Sequence, residues 1–237
     1  MTSTDPTPAS DSDKHRRNAQ TELVDVRDML VIHAALAREF GLAPAAVRRV
    51  RSGDRKHARK LDDHLAFVCN LLHEHHVGED EIVWPTLRAR LSPADCRLLD
   101  KVETQHAGIN AGLERVQDAR QRFLEQPDPS HGATLATELE ILHELVVEHL
   151  ADEERDILPL AAAYLSDPEW RAIGQSLSAL SPKSLLLGAG MCIYQADPEV
   201  IALMFKPIPA PVRVIVPLIS SRLYARQSLR IHGTREP

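Results

Sequence analysis

Residues 75–85 and 149–159 share one pattern at an offset of 74 positions: a histidine, a glutamate four residues on, a further acid at five and a proline at ten. A chain that repeats a segment at a fixed offset is built from copies of one structural unit. Two lone histidines extend the match, His33 lying 42 residues before His75 and His106 lying 43 before His149. Pro85 to Ser92 and Pro159 to Ser166 both span seven residues. The repeat predicts one helical hairpin, present twice.

The apolar pattern says what the hairpins are made of. Leu23, Val26, Leu30, His33, Ala37 and Phe40 recur at spacings of three and four, with Gly41 as the expected stop. Leu61, His64, Val68, Leu71, His75 and Glu79 form a second stripe. The third opens at Ser92-Pro93-Ala94-Asp95, a capping-box-like start, and runs through Leu99, Val102, His106, Ile109, Leu113, Val116 and Phe123. Residues 126–129 break it, and Leu135, Leu139, Leu142, Val146, His149 and Glu153 make the fourth. No stretch keeps the strict alternation of a half-buried strand. The expected fold is all-α, an antiparallel four-helix bundle of two duplicated hairpins. Its boundaries fall at residues 21–165, after a disordered Ser-, Thr- and Pro-rich tail at 1–20 and before a helical extension at 166–237.

Six polar residues sit on these apolar seams: His33, His75, Glu79, His106, His149 and Glu153. Uncompensated polar groups there are costly, so a shared partner is required. His and Glu four apart on a helix reach one region of space. One such pair is weak evidence. Two equivalent pairs, each joined by a histidine from a neighbouring helix, give four imidazoles and two carboxylates converging at one depth. That donor set suits iron, manganese or zinc, and its two-fold character suggests two ions with Glu79 and Glu153 bridging. His76 and Asp80 share the ligand spacing, but only His75 with Glu79 is matched in the second copy, so His75 is taken as the ligand. Asp80 and Glu154 are either outer partners of the ligands or solvated. His64 lies eleven residues from His75, about 16 Å along a helix, and reads as a core histidine outside the centre.

These residues resemble the hemerythrins and the wider hemerythrin-like HHE cation-binding domains, over roughly residues 22–160. The resemblance implies a non-haem di-iron site, oxo- or hydroxo-bridged, within a four-helix bundle and exposed to O₂, peroxide or nitric oxide. Asn110 stands where oxygen carriers have a further histidine, and Glu153 follows His149 by four residues rather than five. Four imidazoles and two bridging carboxylates supply about eight bonds where two octahedral ions take about twelve. Open positions of that kind suit peroxide or NO chemistry, as in a catalase- or peroxidase-like oxidoreductase serving oxidative or nitrosative stress protection. The alternative is a non-catalytic oxygen, redox or iron sensor whose metal state controls docking by the C-terminal extension.

Composition narrows the rest. A net charge of −6 and nine aromatic residues give no basis for a nucleic-acid partner. Cys69, Cys96 and Cys192 are odd in number and unpaired by spacing, which points to a reducing compartment and a cytoplasmic protein. The apolar runs read as too short to span a membrane. Seven basic residues within 48–60 read as a solvated connection. From Lys183 onward seven basic residues face three acids, +4 against −10 for the preceding chain. The apolar residues there, Val212, Val214, Ile215, Leu218 and Ile219 among them, are expected to pack against the acidic bundle.

Overall fold

A computed structural model describes residues 23–206 and 208–237; the expected N-terminal tail lies outside them. Every element among the described residues is helical. Four long helices, α1 (Arg27–Arg48), α2 (Arg55–Gly78), α4 (Pro93–Glu125) and α5 (Pro129–Asp156), pack as the pairs α1–α5, α4–α5, α2–α4 and α1–α2. Between α2 and α4 lie a π-helical turn, Glu79–Val83, and α3 (Trp84–Arg88). After α5 come α6 (Leu158–Tyr164), α7 (Asp167–Arg171), a 3₁₀ segment (Ala172–Ala179), α8 (Pro182–Ile193), α9 (Pro198–Met204) and α10 (Ala210–Ile231).

Local chemistry sets the boundaries. Asp54, Ser92 and Asp128 accept the backbone N–H of His57, Asp95 and His131, satisfying donors that have no partner in a first helical turn. Ser166 caps α7 through a reciprocal pair with Glu169. The repeated prolines both mark a disruption just beyond the repeated glutamates. A proline lacks the N–H that an α-helix needs; before Pro85 the helix widens into the π turn, and before Pro159 it breaks at Ile157 and restarts. Widening of this kind commonly accompanies functional sites.

The second and fourth stripes are buried at every predicted position. The first is not. Leu23 and Leu30 are exposed, and Met29 and Leu36 take the core positions beside His33. Gly41 is also not a stop, since α1 continues through it and through Pro44 to Arg48. Its role is packing: a Cβ on Gly41 would come within 3.1 Å of the His143 ring. α1 also departs from the expectation that the apolar runs are too short to span a membrane. It is the one described helix long and apolar enough to cross a membrane, although half of that stretch is buried within the protein.

Two apolar clusters fill the interior. One holds Leu36, Phe40, Leu65, Leu72, Ile109, Leu139, Leu142 and Val146; the other holds Met29, Trp84, Leu87, Leu99, Val102, Ile157 and Trp170. Each fully buried large side chain contributes about 1.5–3 kcal/mol. His33 falls between Met29 and Leu36, His106 between Val102 and Ile109, and His149 between Val146 and Ile157, so the polar layer lies where one cluster gives way to the other.

The C-terminal extension forms a close pair of helices, α8 and α10, beside α1 and α2. A Cβ on Gly190 of α8 would lie 2.3 Å from the Ser220 carbonyl oxygen, so only glycine permits that approach. The buried residues of α10 are Ser220, at its midpoint, and Tyr224, Ser228 and Ile231 beyond it. Contrary to expectation, Val212, Val214, Ile215, Leu218 and Ile219 are exposed.

Candidate metal centre

All six predicted residues meet in the polar layer, and all are at most 5% exposed. A seventh, His76, joins them at 2%. The donors fall into two groups, each with ligand atoms within 4.8 Å of one another: His76, Glu79, His106 and His149, and His33, His75, Glu79 and Glu153. Glu79 belongs to both. Its Oε1 lies 3.2 Å from His75 Nε2 and its Oε2 lies 3.5 Å from His106 Nε2, so its two oxygens face different groups. Glu153 Oε2 is 3.6 Å from His33 Nε2 and 3.5 Å from His149 Nε2.

Two adjacent histidines serve one centre because neighbours on a helix point about 100° apart. His75 turns toward α1, its ring 5.2 Å from that of His33. His76 turns toward α4 and stacks on His106 at 4.0 Å. The repeat pointed away from His76, since Leu150 holds the matching place in the second copy. The one signal available was its spacing from Asp80.

A second ring of contacts orients the imidazoles. His33 Nδ1 lies 2.9 Å from Glu154 Oε1, and His106 Nδ1 lies 2.8 Å from Asp80 Oδ1. These are the acids that follow the two repeated glutamates, and each reaches the lone histidine of another helix. A carboxylate accepting the Nδ1 proton fixes the tautomer and aims the Nε2 lone pair inward. His149 Nδ1 meets the Gln105 side-chain oxygen at 3.4 Å, and the Gln105 amide in turn donates to Asp152. Outer contacts of this type are worth 10–100-fold in metal affinity. Asp80→Asn and Glu154→Gln are each expected to weaken metal retention by about that factor without unfolding the chain, read by competition with a chromophoric chelator. Wild-type affinity in both variants would show these contacts to be incidental.

The donor atoms fit a metal on independent grounds. His33 Nε2, His75 Nε2, both ring nitrogens of His76 and both oxygens of Glu79 and Glu153 are buried and have no hydrogen-bond partner. Buried polar groups are ordinarily satisfied, and an orphan costs about 1–3 kcal/mol. Burial, then the neighbouring imidazoles, hold His75 and His76 far below the usual histidine range, and the same causes bring His149 down to about 3. The rings are therefore neutral, which is the ligating form. Burial, then Glu153, pushes Glu79 well above the ordinary carboxylate range, and burial raises Glu153 too. Two acid side chains without partners in a dry layer of imidazoles call for cations.

His64 stands outside this layer, as predicted from its distance along α2. It is buried against Glu39, with His232 beside them. The Cys69 thiol is pushed up to about 11 by burial, consistent with an inert role.

Neither the curated proteins nor the solved structures give a significant match to the chain. The model of the hemerythrin HHE cation binding domain matches residues 24–161, which include all seven clustered donors and more than half of the sequence. The chain therefore belongs to the hemerythrin HHE cation-binding family.

Proposed function

We propose that α1, α2, α4 and α5 form the antiparallel bundle of this family around a di-iron centre that binds or acts on a small oxidant, namely peroxide, O₂ or NO. The observation that carries this reading is the pair of donor groups sharing Glu79, whose buried atoms have no partner within the protein. Imidazole with carboxylate, and no cysteine among the donors, suits iron over softer metals. Five imidazoles and two bridging carboxylates supply about nine bonds of the twelve or so that two octahedral ions take. The remaining positions would be open to solvent and to an incoming ligand. When bound, a pair of irons supplies redox equivalents and a site for the incoming ligand.

The protein's own residues do the rest. Leu and Ile side chains of the two clusters keep bulk water from the layer, and its near-complete burial admits ligands of only a few atoms. Asp80 and Glu154 hold His106 and His33 in place, so the donors need no reorganisation when the ligand arrives. Iron-loaded protein is expected to decompose peroxide, with loss of the activity in His149→Ala. A chain that carries both irons and shows no turnover would sink the catalytic reading.

One observation favours a sensing role as the second reading. Glu39, which contacts Tyr224 and His232 of the C-terminal extension, shares α1 with His33, six residues or about 9 Å away. A shift of α1 on a change of metal state thus reaches the extension. Redox-dependent protease cleavage within residues 183–237, without turnover, distinguishes this reading from the first.

A further inference from the structure

We propose a second and separate metal site, for one divalent first-row transition ion with zinc foremost, formed by Glu39, His64 and His232 where the C-terminal extension meets the bundle. It uses none of the seven donors described above. Glu39 comes from α1, His64 from α2, and His232 follows the last turn of α10, so three distant stretches of sequence meet at one carboxylate.

The geometry is that of a coordination shell. Both imidazoles aim Nε2 at the same oxygen: Glu39 Oε2 is 3.1 Å from His64 Nε2 and 3.4 Å from His232 Nε2, and the three donor atoms lie within 4.8 Å of one another. Ligands bonded at 2.0–2.1 Å to a tetrahedral ion sit about 3.3–3.4 Å apart, so the present spacings need little adjustment. The other carboxylate oxygen, Oε1, accepts the Tyr224 hydroxyl. That bond fixes the carboxylate and leaves Oε2 to the histidines, the outer support that ligating carboxylates generally have. The rings of His64 and His232 meet edge to face at 5.5 Å, which lets both nitrogens point inward without a clash.

Glu39 is fully buried; its Oε2 meets the two imidazoles, while Arg38 Nε stands 3.9 Å from Oε1. The His64 Nδ1 is buried with no hydrogen-bond partner. A divalent ion placed between the His64 and His232 Nε2 atoms and Glu39 Oε2 would bind all three donors. Three protein donors leave a fourth position beside His232, whose side chain is 5% exposed at the end of α10. The site acts as a clip, tying α1, α2 and the C-terminal helix together.

The test is zinc per chain after loading the full-length protein and removing free metal by gel filtration. Wild type is expected to retain about one zinc more than either His232→Gln or His64→Gln. Because the count is a difference between wild type and variant, it stands whatever fills the larger centre and whether or not that centre takes iron. Zinc should also raise the melting temperature of wild type more than that of His232→Gln. If His64→Gln does not fold, His232→Gln at the helix end decides. Equal zinc contents in wild type and His232→Gln would overturn the proposal and leave the trio as a hydrogen-bonded latch.

Discussion

Glu79→Gln is expected to empty both halves of the larger centre, while His76→Gln empties only one. Glu79 is the one residue in both donor groups, and its two oxygens face opposite sides. The amide keeps the shape but has one poor donor oxygen and no charge. Loss of a shared ligand should exceed the 10–100-fold that outer contacts are worth, so iron per chain falls from about two to well below one after gel filtration. His76 has partners only in the group with His106 and His149, and its loss should leave about one iron. The same substitution should act in reverse on the metal-free protein. There Glu79 is a buried acid beside Glu153, and glutamine removes that ionisable group while its single amide nitrogen can donate to the Nε2 of either His75 or His106. Metal-free Glu79→Gln should thus melt higher than metal-free wild type. Metal contents unaffected by Glu79→Gln, or a lower metal-free melting point, would contradict the shared role.

The legible part of this molecule was its two-fold order. The repeat located six of seven clustered donors because the lone histidines, the histidine–glutamate pairs and the prolines recur on equivalent helices. The same logic hid His76. A repeat finds what both copies share, and His76 faces Leu150 in the alignment. The pairing of His33 with Glu154 and of His106 with Asp80 was also out of reach, since it depends on which helices become neighbours. Helix periodicity placed the stripes of α2 and α5 correctly, every predicted position being buried. It failed on α1, which has α2 and α5 on one flank and α8 and α9 on another, so its buried surface is wider and rotated. Gly41 misled for a related reason: tertiary contacts hold α1 together past a residue that would weaken an isolated helix. The Glu39, His64 and His232 cluster joins residues up to 193 positions apart, and no local pattern announces it.

Stripping the metal should lower stability substantially, and the loss should grow with pH. A ligand held at about a thousand times its dissociation constant stabilises by roughly 4 kcal/mol, or about 8–16 °C in melting temperature for a domain of this size. The pH dependence follows from the direction of each shift. Glu79 and Glu153 have raised values in the folded chain, so between the ordinary carboxylate range and those values the native state holds protons that the unfolded state has lost. Without metal, their contribution is therefore fully present only at low pH and is lost as pH rises. His75, His76 and His149 are depressed, so their penalty appears as pH falls below about 6.5, where the unfolded chain takes up protons that the native layer refuses. The metal-free protein should thus be most stable near pH 6 and weaken on both sides. Bound metal neutralises the carboxylate penalty above that point, whereas on the acid side protons compete for the same imidazoles and release it. Thermal melts of loaded and chelator-treated protein at pH 6 and pH 8 test this directly. The gap should be wider at pH 8, and equal melting temperatures at both values would mean that the seven donors hold no ion.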